Sequence, residues 1–310
     1  MIQGIINIAY LISAILVIIG LQKLGSPATA RVGNWYSAAA MGLATVATLL
    51  TPGLRHHWIM LVGIILGAVI SIPVAQRVKM TAMPQMVAMF NGTGGAASAL
   101  VSVAEFQNRT DMSRPETISV VLGTIIGAIS FTGSMVAFAK LQELITGRPI
   151  VYKGQQVLNG VLFLAMVALS FGVIFSGDLA TQRLMLLGVL VVALIVGALI
   201  VLPIGGADMP VVIAMQNALT GVASIFTGLV LGNQLLVIAG LLVGASGVLL
   251  SMVMARAMNR SLANVFFGAF GSVATGGAAG VKGEALPIKS LSAEDAGVPL
   301  AYADRVIIVP

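Results

Sequence analysis

Apolar residues run along this chain for about twenty positions at a time, and short polar or Gly/Pro-rich segments separate the runs. Nine such runs can be drawn, at 2–22, 35–51, 57–75, 84–105, 117–140, 157–176, 182–202, 209–230 and 233–256. About twenty residues at 1.5 Å each cross the hydrocarbon core of a bilayer, whereas the strands of a membrane barrel alternate over about ten. The pattern therefore predicts an all-α polytopic membrane protein of nine transmembrane helices. Turn signals such as "TPGLRHH", "QNRTDMSRPE", "TGRPIVYKGQQ" and "PIGGAD" fall between the runs. No internal repeat is visible.

Composition supports this reading. Only 8% of the 310 residues are charged and 58% are hydrophobic, with a mean hydropathy of +1.06. A soluble domain carries roughly 25% charged residues. The net charge of +6 is spread over short loops, so it reports topology and not nucleic-acid binding. Lys23, Arg31, Arg77, Lys79, Lys140, Arg148, Lys153, Arg256 and Arg260 fall on one side, against Arg55, Arg109, Arg114 and Arg183 on the other. The excess places the C-terminus in the cytoplasm and, with nine spans, the N-terminus outside. There is no cysteine, which removes disulfides and thiolate metal sites from consideration. The N-terminus reads as a first span and not as a cleavable signal.

Polar groups in lipid are costly and need a reason. The fourth helix carries Asn91, Gly95, Ser98, Ser102 and Glu105 on one face, about 21 Å long at the helical rise. The eighth carries Asn217, Gly221, Ser224 and Gly228, with Thr220 and Thr227 beside them. The fifth has Gly123, Gly127, Ser130 and Ser134, and the ninth has Gly240, Gly244, Gly247 and Ser251. Two readings stand. Small residues let helices pack closely, or helices 4, 5, 8 and 9 form an inner bundle around a hydrated path, with the other helices outside.

Asp208 is the one carboxylate of "LPIGGADMPVVIAMQNALTG". It stands where an N-cap of the eighth helix is expected, ahead of Met209-Pro210. It also stands where a gate at the cytoplasmic mouth would stand, and the two roles are compatible. His56 and His57 read as solvated loop residues. "NGTGG" and "TGGAAG" follow no strand, so neither is a phosphate loop. The tail from 261 reads as an interfacial segment, then a Gly/Ala/Pro linker, then a strand, "RVIIVP", that opens a second, soluble domain. Residues 1–260 are thus expected to form a transmembrane domain, and 261–310 the segment leading into that soluble domain.

The stretches "GGADMPVVIAMQNALTG", "GASGVLLSMVMARAMNRS", "MPQMVAMFNGTGGAASALVSVAEF" and "YADRVIIVP" resemble the β subunit of proton-translocating nicotinamide nucleotide transhydrogenases, over essentially the whole chain. The resemblance implies an inner-membrane subunit whose proton conduction is coupled to hydride transfer between NAD(H) and NADP(H) in soluble domains. It implies an α-subunit partner with an NAD(H)-binding domain and further membrane helices, and a dimer of protomers. Both nucleotides would be bound in the full complex and neither by this chain alone. On the matching positions, Asp208 corresponds to the family's cytoplasmic-side aspartate, Asn217 to a polar residue beyond it, and Arg260 to the arginine after the last helix. Gly240, Gly244, Gly247 and Ser251 correspond to its small-residue helix.

The expected proton path is Asn91, Ser98, Ser102, Glu105, Asp208, Asn217, Thr220, Ser224 and Ser251. Asp208, Arg256 and Arg260 are expected to couple it to the soluble domain. Gly95, Gly123, Gly127, Gly221, Gly240, Gly244 and Gly247 are expected to pack helices. Many relatives have a histidine where this chain has Asn91. An amide does not titrate near neutrality, so the ionisable relay is expected elsewhere, on a helix of the partner. A secondary transporter binding a small solute at a broken helix is the alternative. A purely structural subunit leaves Asn91 and Asp208 unexplained.

Overall fold

The computed structural model describes residues 2–52, 57–265, 297 and 300–302. The chain divides into two compact units, Met1–Gly271 and Ser272–Pro310. The second is described only at residue 297 and at residues 300–302, where Leu300 and Tyr302 are exposed. The expected strand "RVIIVP", most of the linker, and Arg55 and His56 lie outside the described residues.

Among the described residues of the first unit, nine long helices follow one another: α1 (Ile2–Leu24), α2 (Pro27–Leu49), α3 (His57–Arg77), α4 (Met83–Asn108), α5 (Arg114–Leu141), α6 (Gln155–Phe175), α7 (Leu179–Val201), α8 (Met209–Leu231) and α9 (Gln234–Ala257). Two short 3₁₀ turns, Met80–Ala82 and Gly206–Asp208, lead into α4 and α8. No strand occurs among the described residues. Eight of the helices, all but α2, are long and apolar enough to cross a membrane.

Helix ends follow local chemistry. Ser113 and Glu116 make a capping box at α5, where the Ser113 N–H donates to Glu116 Oε2 at 2.8 Å. Asp178 caps α7 by accepting from the Thr181 N–H, and Asn233 caps α9 by accepting from the Leu236 N–H. α2 begins eight residues earlier than the apolar run suggests. Pro27 occupies its first turn, which needs no proline N–H. The Gly, Ala and Arg residues that read as loop therefore stay helical, and Gly33 lies against Gly20 of α1, where a Cβ would meet the Leu24 nitrogen at 3.0 Å.

α4, α5 and α8 pack against one another and hold the largest buried shares of any helices. α4 runs parallel to α8 and antiparallel to α5, since Asn91 meets Ile213, Thr227 meets Ser98, and Gly95 meets Gly127. α7 lies on α5 and α6, and α1 on α2. α9 packs chiefly on α8, with a smaller contact to α1. Within this chain α4, α5 and α8 form a mutually packed trio, and α9 turns its small-residue face to α8. α3 has no buried residue.

Candidate functional site

The interior of the trio is polar. Asn91 is buried, and its Nδ2 donates to the Ile213 carbonyl at 3.2 Å. The Thr220 hydroxyl lies 3.2 Å from the Asn91 carbonyl and 2.6 Å from Ser130 Oγ. Ser130 Oγ also donates to the Gln216 carbonyl at 3.0 Å. Further along, Thr227 Oγ1 reaches the Ser98 carbonyl at 3.4 Å. A Cβ at Gly123 would stand 2.5 Å from Ser102 Oγ, so that hydroxyl fills the space glycine leaves.

Gln216 Oε1, beside Gly133, Ser134 Oγ, beside Gly92, and Ser102 Oγ, beside Gly123, are buried without a hydrogen-bond partner within the chain. Leaving a buried polar group unpaired costs about 1–3 kcal/mol.

α8 presents a different stripe to this interior from the one read off the sequence. Thr220 and Thr227 meet α4, Thr220 also meets Ser130 of α5, and the Gln216 side chain lies against Gly133 of α5, while Gly221 and Gly228 face α9. Asn217 sits half-buried in a groove with Met83, Val87, Ile213 and Leu250. Ser224 Oγ bonds back to the Thr220 carbonyl of its own helix, and buried Ser251 Oγ to Gly247 of its own. Gln216 was missed because its neighbour Asn217 completes a regular spacing with Gly221. Its signal was simply an amide inside an apolar span.

The glycines make the close contacts. A Cβ at Gly95 would lie 2.8 Å from the Gly127 carbonyl oxygen, and one at Gly127 would lie 2.6 Å from that of Gly95. One at Gly221 would lie 2.8 Å from the Gly240 oxygen, one at Gly240 2.6 Å from the Gly221 oxygen, and one at Gly247 2.7 Å from the Ala218 nitrogen. Gly244 differs: its Cβ would find ordinary contact at 3.7 Å.

One end of the seam carries Asp208. It occupies the N-cap position of α8 but, contrary to the expected cap, its side chain accepts no N–H of that helix. The preceding 3₁₀ turn leaves Asp208 in a helical conformation (φ −89°, ψ −5°), and Pro210 offers no N–H. Instead Arg260 Nη1 donates to Asp208 Oδ2 at 2.7 Å. Asp208 is 8% exposed and its Oδ1 has no partner, whereas the Arg260 side chain is half exposed. Arg260 arrives there because Asn259, left-handed at φ +53°, ends α9 just before it. Arg256 lines an open groove beside it with Met252 and Ser261.

The other end carries Glu105, within 3.7 Å of Arg109, which also reaches Glu116 at 3.0 Å and Asp111 at 4.0 Å. Arg109 is held above its ordinary range, first by its hydrogen bond to Glu116 and then by the surrounding carboxylates. No group of three or more metal-ligating side chains occurs among the described residues.

Among the described residues, long apolar helices around a polar trio make this a polytopic α-helical membrane protein. Residues 6–310 match the family model described as NAD(P) transhydrogenase beta subunit, and the chain belongs to that family. It is similar to the NAD(P) transhydrogenase subunit beta of Rhodospirillum rubrum, 39% identical over 315 residues that cover 97% of this chain and 66% of the relative. A protein of the same name from a defined strain of that organism matches equally. The chain thus spans just under two thirds of the length of these relatives.

Proposed function

We propose that this chain is the membrane part of a proton-translocating transhydrogenase, conducting protons through α4, α5 and α8 and coupling them to hydride transfer between NAD(H) and NADP(H). The observation that carries this is a seam of buried, unpartnered polar atoms with the Asp208–Arg260 pair at one end and Glu105 at the other. The path runs from Asp208 past Asn91, Gln216, Ser134, Ser130 and Thr220 to Ser98, Thr227, Ser102 and Glu105. Hydroxyls and amides there hold waters that pass the proton, and Asn91 orients them without titrating.

All nine helices span an inner membrane, α2 included, with the N-terminus outside and the Asp208 end cytoplasmic. The partner is an α subunit carrying the NAD(H) domain and further helices, in a dimer of protomers. A helix of that subunit supplies the titratable relay, and the groove at Asn217 is open to receive it. α9 belongs with the inner bundle once that helix and the second protomer surround it. Residues 1–260 are the membrane domain, and 261–310 lead into the NADP(H) domain. In this reading both nucleotides are held by soluble domains of the full complex, and the membrane domain takes no part in the hydride step. Nothing in the comparisons supports a solute transporter.

In this reading Asp208 is the gate. Its Oδ1 is buried without a partner, while Oδ2 is tied to Arg260, at the start of the segment that leads toward the soluble domain. The test is Asp208→Asn in the full-length complex, reconstituted with its partner in vesicles carrying a pH dye. Coupled proton transfer is expected to fall sharply with assembly and thermal stability intact. Near-normal coupled turnover would remove the gate.

A further inference from the structure

Lys140, in the last turn of α5, is 2% exposed. Its Nζ donates to the carbonyls of Leu202 at 2.5 Å and Ile204 at 2.7 Å, with Arg148 O at 3.5 Å. Among the described residues it joins no ion pair. Lys140 and Asp208 are the only ionisable side chains buried among the described residues.

Leu202 and Ile204 belong to the turn that carries Asp208. A helix leaves its last carbonyls unpaired, and a cation there is favoured by the dipole. The same turn is stitched to the α5–α6 loop by two backbone bonds, Gly206 N–H to Gly147 O at 2.8 Å and Ile150 N–H to Leu202 O at 3.1 Å. Beneath it, Val201, Ile204, Met209, Val211 and Val212 are fully buried.

We infer that Lys140 is a positioning residue for Asp208: its ammonium pins the α7–α8 turn to the end of α5 and sets where Asp208 meets Arg260. This rests on the functional reading above. Lys140 is not a carrier, because its ammonium donates to backbone carbonyls, which do not titrate, and among the described residues no carboxylate pairs with it. A cation with no counter-ion and carbonyl partners is a clamp.

The test uses the full-length complex in vesicles. A misplacement of about 1 Å at a reacting group can cost on the order of 100-fold, so Lys140→Met is expected to lower coupled proton transfer by about tenfold to 100-fold. Lys140→Gln, which keeps two donors without the charge, is expected to retain most of the transfer that Lys140→Met loses.

Parental transfer in Lys140→Met would overturn the inference. So would a Lys140→Gln variant that transfers as poorly as Lys140→Met, since the lysine's charge and not its grip would then matter. Hydrogen exchange at residues 202–208 provides a readout that needs no pumping. Lys140→Met should speed exchange there and Lys140→Gln should do so less, and unchanged exchange in Lys140→Met refutes the clamp. If the parental complex transfers hydride without moving protons, the functional reading fails while the exchange experiment still decides the clamp.

Discussion

α8 lies between two seams of opposite character. Toward α9 it presents Gly221, Ala218 and Gly228, and backbone meets backbone with no polar side chain between the glycines. Toward α4 and α5 it presents Gln216, Thr220 and Thr227, and meets hydroxyls and amides, several of them unpaired. Both seams are built of small residues, yet one is dry and tight and the other is polar with space for a glutamine side chain beside Gly133. Small-residue stripes alone therefore do not mark a path.

The largest expected effect breaks the dry seam. Gly221→Ala drives a methyl into the α9 backbone, which cannot move aside as a flexible side chain would, and overpacking of this kind costs about 1–3 kcal/mol. Thermal unfolding in detergent reads it. Next comes the polar seam: Gln216→Leu keeps the volume but removes the amide, so coupled proton transfer should fall about tenfold, which is about 1.4 kcal/mol of barrier. Stability should hold or rise, since an unpaired buried oxygen has gone. A stability loss with normal pumping would make this seam packing only.

Asn91→Leu should act in the same direction and Asn91→Ser more mildly, because a hydroxyl still orients water. Equal transfer in both variants and the parent would take α4 off the path. Smaller still is Gly244→Ala, which should change stability by no more than about 0.5 kcal/mol, as surface-like substitutions do, because its Cβ has room at 3.7 Å. A large loss there would show that the α8–α9 seam is tighter than drawn.

The smallest effect lies in neither seam. The Asp178 carboxylate is held below its ordinary range by the Thr181 hydroxyl and N–H. Its folded pKa is therefore depressed, so its stabilisation is present above the unfolded value of about 3.9 and is lost as pH falls through the folded one. Asp178→Ala should lower the melting temperature slightly at neutral pH, with the gap to the parent closing in acid, and should leave coupled transfer alone. A gap that persists in acid would point to packing and not to charge.

Much of the fold could be read from the chain because lipid enforces it. A span must be apolar and about twenty residues long, so helix existence is written in hydropathy, and each helix lies within a few residues of its apolar run except α2. α2 escaped because Pro27, Ala28, Thr29, Ala30 and Arg31 look like loop, although a helix start tolerates them. The glycine contacts at 95, 127, 221 and 240 were also legible, since regular spacing of small residues is a one-dimensional signal of close approach.

Rotation about the helix axis was not legible. Gln216 and Asn217 are adjacent and chemically alike, and the step of about 100° between them puts one in the polar interior and the other in the groove beside α9. Nothing local chooses between them. The choice is made by Gly221 and Gly228, which dock on α9 and so turn Gln216 inward. Asp208 and Lys140 illustrate the same limit. The amino-acid sequence by itself determined that a carboxylate stands at a helix break and that a lysine ends α5. Only tertiary packing decided that the carboxylate would turn from its own helix to Arg260, 52 residues away, and that the lysine would hold the carbonyls of another helix's turn. Local propensity acts over a turn or two of chain, whereas these partners meet only when separate helices are brought together.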